Sequence, residues 1–234
     1  MKVRTLFISD VHMGTEHCNH EKLLKLLSEV ECEYLFLVGD IVDGWALQRR
    51  FKWHQNYNTI IQKILRMSRK GTQIVYLYGN HDDFLQSFDG FNFGENIVIK
   101  REIGHITAKN QRLLILHGDQ FDGIVSNHRW IQHIGAVIYD ISLSLNVFFK
   151  IFKFSLSKFL KNKAKEAVKY IGSYESVVAN YCKLNYYDGI VCGHIHAPVI
   201  KNIDDIKYYN IGDMLEHNTV LVETLDGELK LINL

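Results

Sequence analysis

The sequence predicts an α/β protein whose chemistry lies along one edge of its sheets, and three observations carry that expectation. Five short runs of apolar, mostly β-branched or aromatic residues show no polar alternation, as expected of strands buried on both faces. Each run is followed at once by a cluster of Gly, Asp, Asn or His, at the strand end where open α/β sheets bind ligands. Helical patterns separate the first runs, and strand alternating with helix is the signature of an α/β core.

In chain order, strands are expected at Thr5–Ile8, Tyr34–Val38, Gln73–Tyr78, Leu113–Leu116 and Gly189–Cys192, with helices at Asn19–Val30 and Asn56–Lys70 between the first three. After His196 the pattern tightens to short strands at Val199–Lys201, Lys207–Asn210, Thr219–Glu223 and Leu229–Ile232, the last two joined through Asp226-Gly227. This C-terminal part is expected to form a β-meander that completes the sheets.

At roughly 150 residues per domain, the 234 residues read as a single domain, 1–234, carrying a helical cap insertion at 121–184. Hydrophobic residues make up 47% and charged residues 23%, which excludes intrinsic disorder. A formal net charge of +1 gives no footprint for nucleic acid. That average conceals an asymmetry: Ile124 to Tyr170 carries +6 and the remainder −5. The start, MKVRTLFISD, is too short in apolar residues for a signal peptide, and four scattered cysteines show no disulfide framework, so a cytoplasmic protein is expected. The longest apolar stretch, Ile131 to Phe149, is broken by Asp140, which argues against a membrane span.

The chemistry is expected at the strand ends. The first run ends in Asp10-Val11-His12, where alternation across a strand would put a carboxylate and an imidazole on the same side. The second ends in Gly39-Asp40-Ile41-Val42-Asp43 and the third in Gly79-Asn80-His81-Asp82. The fourth ends in His117-Gly118-Asp119 and the fifth in Gly193-His194-Ile195-His196. Any one of these clusters can be read as turn chemistry or a satisfied histidine; five in succession cannot. Mixed carboxylate and imidazole donors suit Mn, Fe or Zn better than Ca or Mg.

These five motifs, in this order, resemble those of the calcineurin-like metallophosphoesterase superfamily. The resemblance implies a four-layer α/β/β/α sandwich with two divalent transition metal ions, most simply Mn, with Fe and Zn as alternatives. It implies that one metal is held by Asp10, His12, Asp40 and His196, and the other by Asp40, Asn80, His117 and His194. His81 would assist the leaving group, and Asp82 would orient His81. Within the superfamily the chain looks most like the UDP-2,3-diacylglucosamine pyrophosphatase group of lipid A biosynthesis, through the helical insertion after His117-Gly118-Asp119, the stretch from Ser155 to Lys161, and Tyr209-Asn-Ile-Gly-Asp-Met-Leu-Glu. That group carries Arg where this chain has His81, which keeps a soluble phosphodiesterase or nucleotide phosphatase as an alternative. A non-catalytic scaffold is a second alternative, against which the complete ligand set argues.

In the insertion, Leu145, Phe148, Phe149, Phe152, Leu156, Phe159 and Leu160 fall on one helical face and Lys150, Lys158, Lys161 and Lys165 on the other. Two readings stand: a core-packed helix with a solvated lysine face, or a cap that accepts acyl chains or the cytoplasmic face of the inner membrane while its lysines meet phosphate. Lys161 and Lys165 are therefore candidate substrate-binding residues. Trp45, directly after the second motif, would either line the pocket or pack.

Overall fold

A computed structural model describes residues 1–125 and 156–234, with side chains described for 1–125 and 165–234. Two sheets carry the molecule. The first is six-stranded, built from β1 (Lys2–Ile8), β2 (Glu31–Val38), β3 (Gln73–Leu77), β4 (Ile97–Lys100), β10 (Thr219–Glu223) and β11 (Leu229–Asn233), in the order β11-β10-β1-β2-β3-β4. The second is five-stranded, built from β5 (Glu102–Ile106), β6 (Arg112–Leu116), β7 (Gly189–Cys192), β8 (Val199–Ile203) and β9 (Ile206–Asn210), in the order β5-β6-β7-β9-β8.

Helix α1 (His20–Glu29) buries Leu23, Leu26 and Leu27, whose spacing makes one stripe. That stripe, with Tyr57 and Ile60 of α3 (Gln55–Arg69), packs on Leu6, Ile8, Leu35, Leu37 and Ile74 of the first sheet. The opposite face of that sheet supplies Phe7, Phe36, Val75 and Leu77, which meet Leu113, Ile115, Val191 and Tyr209 of the second. Each such fully buried side chain contributes about 1.5–3 kcal/mol. The last turns of α5 (Leu156–Leu184) bury Val178, Ala179 and Cys182, and Tyr181 there donates to Glu102 of β5. Together these are the layers of an α/β/β/α sandwich.

The five strands expected from the apolar runs are all present, and their parallel register delivers the motif loops side by side. Ile8 lies opposite Leu37, Val38 opposite Leu77, and Ile115 opposite Val191. Burial deepens toward the same ends: the first half of β2 alternates, whereas its last four residues are all buried. The C-terminal region departs from the expected meander. Strands β8 and β9 form a hairpin on β7, while β10 and β11 form a hairpin on β1 in the other sheet. Strand spacing alone does not reveal that Ile211–Asn218 crosses between sheets. Strands β4 and β5 and the short helix α2 (Gly44–Arg49) were also not anticipated.

The chain divides into two compact units, Met1–Gln120 with Val178–Leu234, and Phe121–Val177. In the second, Tyr174 is fully buried with its ring against Phe121, and Tyr170 donates to Asp122 at the start of α4 (Asp122–Val125). Residues 145–155 of the expected amphipathic face lie outside the described residues, as do the side chains of Leu156, Phe159, Leu160 and Lys161. Lys165 is an exposed residue of α5. Among the described residues no helix is long and apolar enough to cross a membrane.

Candidate metal centre

The loops after the strands are zipped together by backbone hydrogen bonds. The amide of Asp10 donates to the Gly39 carbonyl at 3.1 Å, that of His12 to Asp40 at 2.8 Å, and that of Gly193 to His117 at 3.1 Å. Asp10, His12, Asp40, His194 and His196 all have positive φ, between 49° and 69°. Non-glycine residues enter this left-handed region at a cost that the surrounding structure must offset. Strand alternation would put Asp10 and His12 on one side; β1 instead ends at Ile8, and the left-handed backbone brings the two side chains together. Close approach completes the site: a Cβ at Gly79 would run into Asp40 and His117, and one at Gly193 into Ser9 and Asp10.

Two carboxylates and three imidazoles converge. Asp10 Oδ1 lies 3.1 Å from His196 Nε2 and 3.9 Å from His12 Nε2. Asp40 Oδ2 lies between two of the rings, 3.3 Å from His117 Nε2 and 3.8 Å from His12 Nε2. Two of the imidazoles are anchored through their other nitrogen, Nδ1: His12 uses it on Asp43 at 3.0 Å and His117 on the Val38 carbonyl at 3.1 Å. Such anchoring fixes the tautomer and aims Nε2 inward. His196 Nδ1 lies 3.9 Å from Asp213 Oδ2, an electrostatic rather than a hydrogen-bonded contact. Asp10 Oδ1, His12 Nε2, His117 Nε2 and Asn80 Oδ1 are buried yet have no hydrogen-bond partner among the described residues. Orphaned donors and acceptors of this kind cost free energy unless an ion completes them, so these residues fit divalent cations. Asn80 follows Gly79 on the same loop, and the His194 ring lies 5.1 Å from that of His117.

Charge is balanced inside the cluster. Burial pushes the Asp10 carboxyl up, but His196 and His117 more than reverse this and hold it at about 2. Asp40 is likewise held low against its burial, by His117, His12 and His81. Burial works against protonated imidazole at His117 and His196, and the two aspartates overcome it, raising His117 well above the usual value and His196 to about 9. The carboxylates are thus ionised throughout the physiological range.

His81 sits at the rim. Its ring packs edge-on to His12 at 4.6 Å and against Trp45 at 4.3 Å, and its Nδ1 is 2.9 Å from Asp43 Oδ2. The expected partner of His81, Asp82, acts elsewhere: fully buried, it accepts from the amides of Asp40, Ile41 and Gly79 and from the Tyr76 hydroxyl. Asp82 therefore shapes the loop carrying Asp40, and the carboxylate beside His81 is Asp43. Asp43 stands in the second motif with no role expected from the sequence; its i+3 spacing from Asp40 is the one signal that marks it. Asp213 was also missed, although it lies in the Tyr209 to Glu216 stretch, where it receives three backbone amides and the His217 ring.

A buried carboxylate and imidazole cluster at the carboxyl edges of two facing sheets is the site of a metal-dependent phosphoester hydrolase. The chain belongs to the calcineurin-like phosphoesterase family, whose profile matches residues 3–198. It is similar to a UDP-2,3-diacylglucosamine hydrolase of Hamiltonella defensa, 25% identical over 219 residues, 86% of this chain and 80% of that protein. A UDP-2,3-diacylglucosamine hydrolase of Porphyromonas gingivalis is 24% identical over 127 residues, 51% of this chain and 47% of its own length. Among solved structures, a hypothetical protein from Pyrococcus horikoshii OT3 shares the fold with a TM-score of 0.54 at 12% identity, over 100% of this chain and 88% of that one.

Proposed function

We propose that the chain hydrolyses UDP-2,3-diacylglucosamine to UMP and 2,3-diacylglucosamine 1-phosphate, one water adding across the P–O–P bond, with two divalent ions, manganese first among them. The convergence of Asp10, Asp40, His12, His117 and His196, with the orphaned inward atoms of Asp10, His12 and His117, supports the phosphoester chemistry. The substrate rests on the resemblance along the chain and on the names of the relatives above. When bound, two such ions neutralise charge on a phosphoryl oxygen and lower the pKa of water, which removes any need for a covalent enzyme intermediate. Asp10, His12, Asp40 and His196 would hold one ion, and Asp40, Asn80, His117 and His194 the other.

His81 is the proposed catalytic residue. Burial alone would discharge its ring, but Asp43 and Asp40 reverse this and raise its pKa. A ring biased toward its protonated form in this way suits handing a proton to the leaving oxygen. The insertion 121–184, with its basic segment, is proposed to meet the lipid part of the substrate or the cytoplasmic face of the membrane. His81 in place of arginine favours a second reading, a soluble phosphodiesterase.

Turnover with Mn of UDP-2,3-diacylglucosamine beside bis-p-nitrophenyl phosphate, each with and without detergent, separates these. Cleavage of the glycolipid supports the first reading, and cleavage of the soluble ester alone supports the second. His81→Ala is expected to keep both metals and lose about 10²–10⁴-fold in rate, whereas Asp40→Ala loses metal, read by elemental analysis. Full turnover by the His81 variant removes its catalytic role.

A further inference from the structure

Beside Asn80 lies an open cavity of about 330 Å³, lined by Trp45, Asp83, Gln86, Arg101 and Asp119. Its charges decide what it can hold. Arg101 is already committed: one guanidinium nitrogen donates to the Tyr78 carbonyl and another to Asp119 Oδ2, both at 2.8 Å. With that pair neutralised, Asp83 leaves the cavity net negative, so it disfavours a second phosphoryl group. Asp119 Oδ1 is buried and has no partner among the described residues, and an unfilled buried acceptor of this kind favours a ligand that brings an O–H or N–H. The wall beside it is the partly exposed indole of Trp45, an apolar face on which the C–H side of a ring can lie.

We propose that this cavity is the subsite for a sugar ring carried directly on the scissile phosphate. The ring packs on Trp45, and its hydroxyls donate to Asp119 Oδ1 and pair with Gln86. The assignment rests on the proposed reaction only in placing the phosphoryl group beside Asn80 and His81. Either sugar of a nucleotide-linked glycolipid meets this chemistry, a ribose or a hexosamine.

Calorimetric titration of the manganese-loaded protein with inorganic phosphate, UMP and glucosamine 1-phosphate tests it. One of the two sugar phosphates is expected to bind about tenfold tighter than inorganic phosphate, and which one does so identifies the ring. Asp119→Asn keeps a partner for Arg101 while turning the free oxygen into a donor, and Gln86→Ala alters only an exposed side chain; each is expected to erase most of the preference. If inorganic phosphate binds as well as both sugar phosphates, or if the preference survives both variants, the subsite is overturned while the phosphoesterase reading stands. If inorganic phosphate itself fails to bind, both fall.

Discussion

Asp43 shows how one carboxylate can serve two functional side chains. Its Oδ2 lies 3.0 Å from His12 Nδ1 and 2.9 Å from His81 Nδ1, while its Oδ1 caps α2 by accepting from the Ala46 amide at 2.7 Å. Burial pushes its pKa up, but the hydrogen bonds from His12 and His81 lead the interactions that keep it low, so it holds a full negative charge where both rings need it. Asp43→Asn removes that charge while keeping the volume. We expect metal affinity to fall about 10–100-fold through His12 and turnover to fall further through His81. Because both effects on the proton pass through His81, the double variant with His81→Ala should turn over no more slowly than His81→Ala at saturating metal. Additive losses in that comparison would mean that Asp43 acts independently of His81.

Between the sheets, a second buried carboxylate clamps elements rather than metals. Glu223 of β10 accepts from Arg4 and Thr5 of β1 and from the Ala108 amide, and lies 3.1 Å from His105 of β5. It thus joins the first sheet to an edge strand of the second. Burial pushes the Glu223 carboxyl up, and hydrogen bonds from His105, Thr5 and Ala108 outweigh it, holding it at about 2 in the folded state. A carboxyl whose folded pKa lies below its unfolded value stabilises the fold above the unfolded pKa and loses that contribution as pH falls through the folded one. Glu223→Gln is expected to cost about 3 kcal/mol at pH 7 and about half that at pH 3. Denaturant unfolding of both proteins at the two pH values measures this, and a gap that is constant with pH would show that the clamp works without its charge.

For the molecule as a whole, the parts legible in the sequence were those governed by local pattern. Unalternated apolar runs located five buried strands, and the clusters after them located Asp10, Asp40, His12, His117 and His196, because strand ends and donor types are both written locally. Strand β4, only four residues long, and β5, interrupted by Gly104, fall below what periodicity resolves. The left-handed backbone at the ligands and the split of the C-terminal hairpins between sheets are tertiary outcomes with no local signature. Those outcomes leave a core edge that carries fully buried Asp10 and His117, each with an atom that has no hydrogen-bond partner among the described residues. A cation bound only by the folded state stabilises it by mass action, about 2.7 kcal/mol for each ion at a hundred times its Kd. Two ions should raise Tm by roughly 10–20 °C in a chain of this size, and a chelator should reverse the rise. Asp40→Asn, which alters the carboxylate proposed to touch both ions, should lose more than half of that shift, and His81→Ala, at the rim, should keep it. A wild-type melting curve indifferent to manganese, or an Asp40→Asn shift equal to wild type, would show that these donors do not form the metal centre.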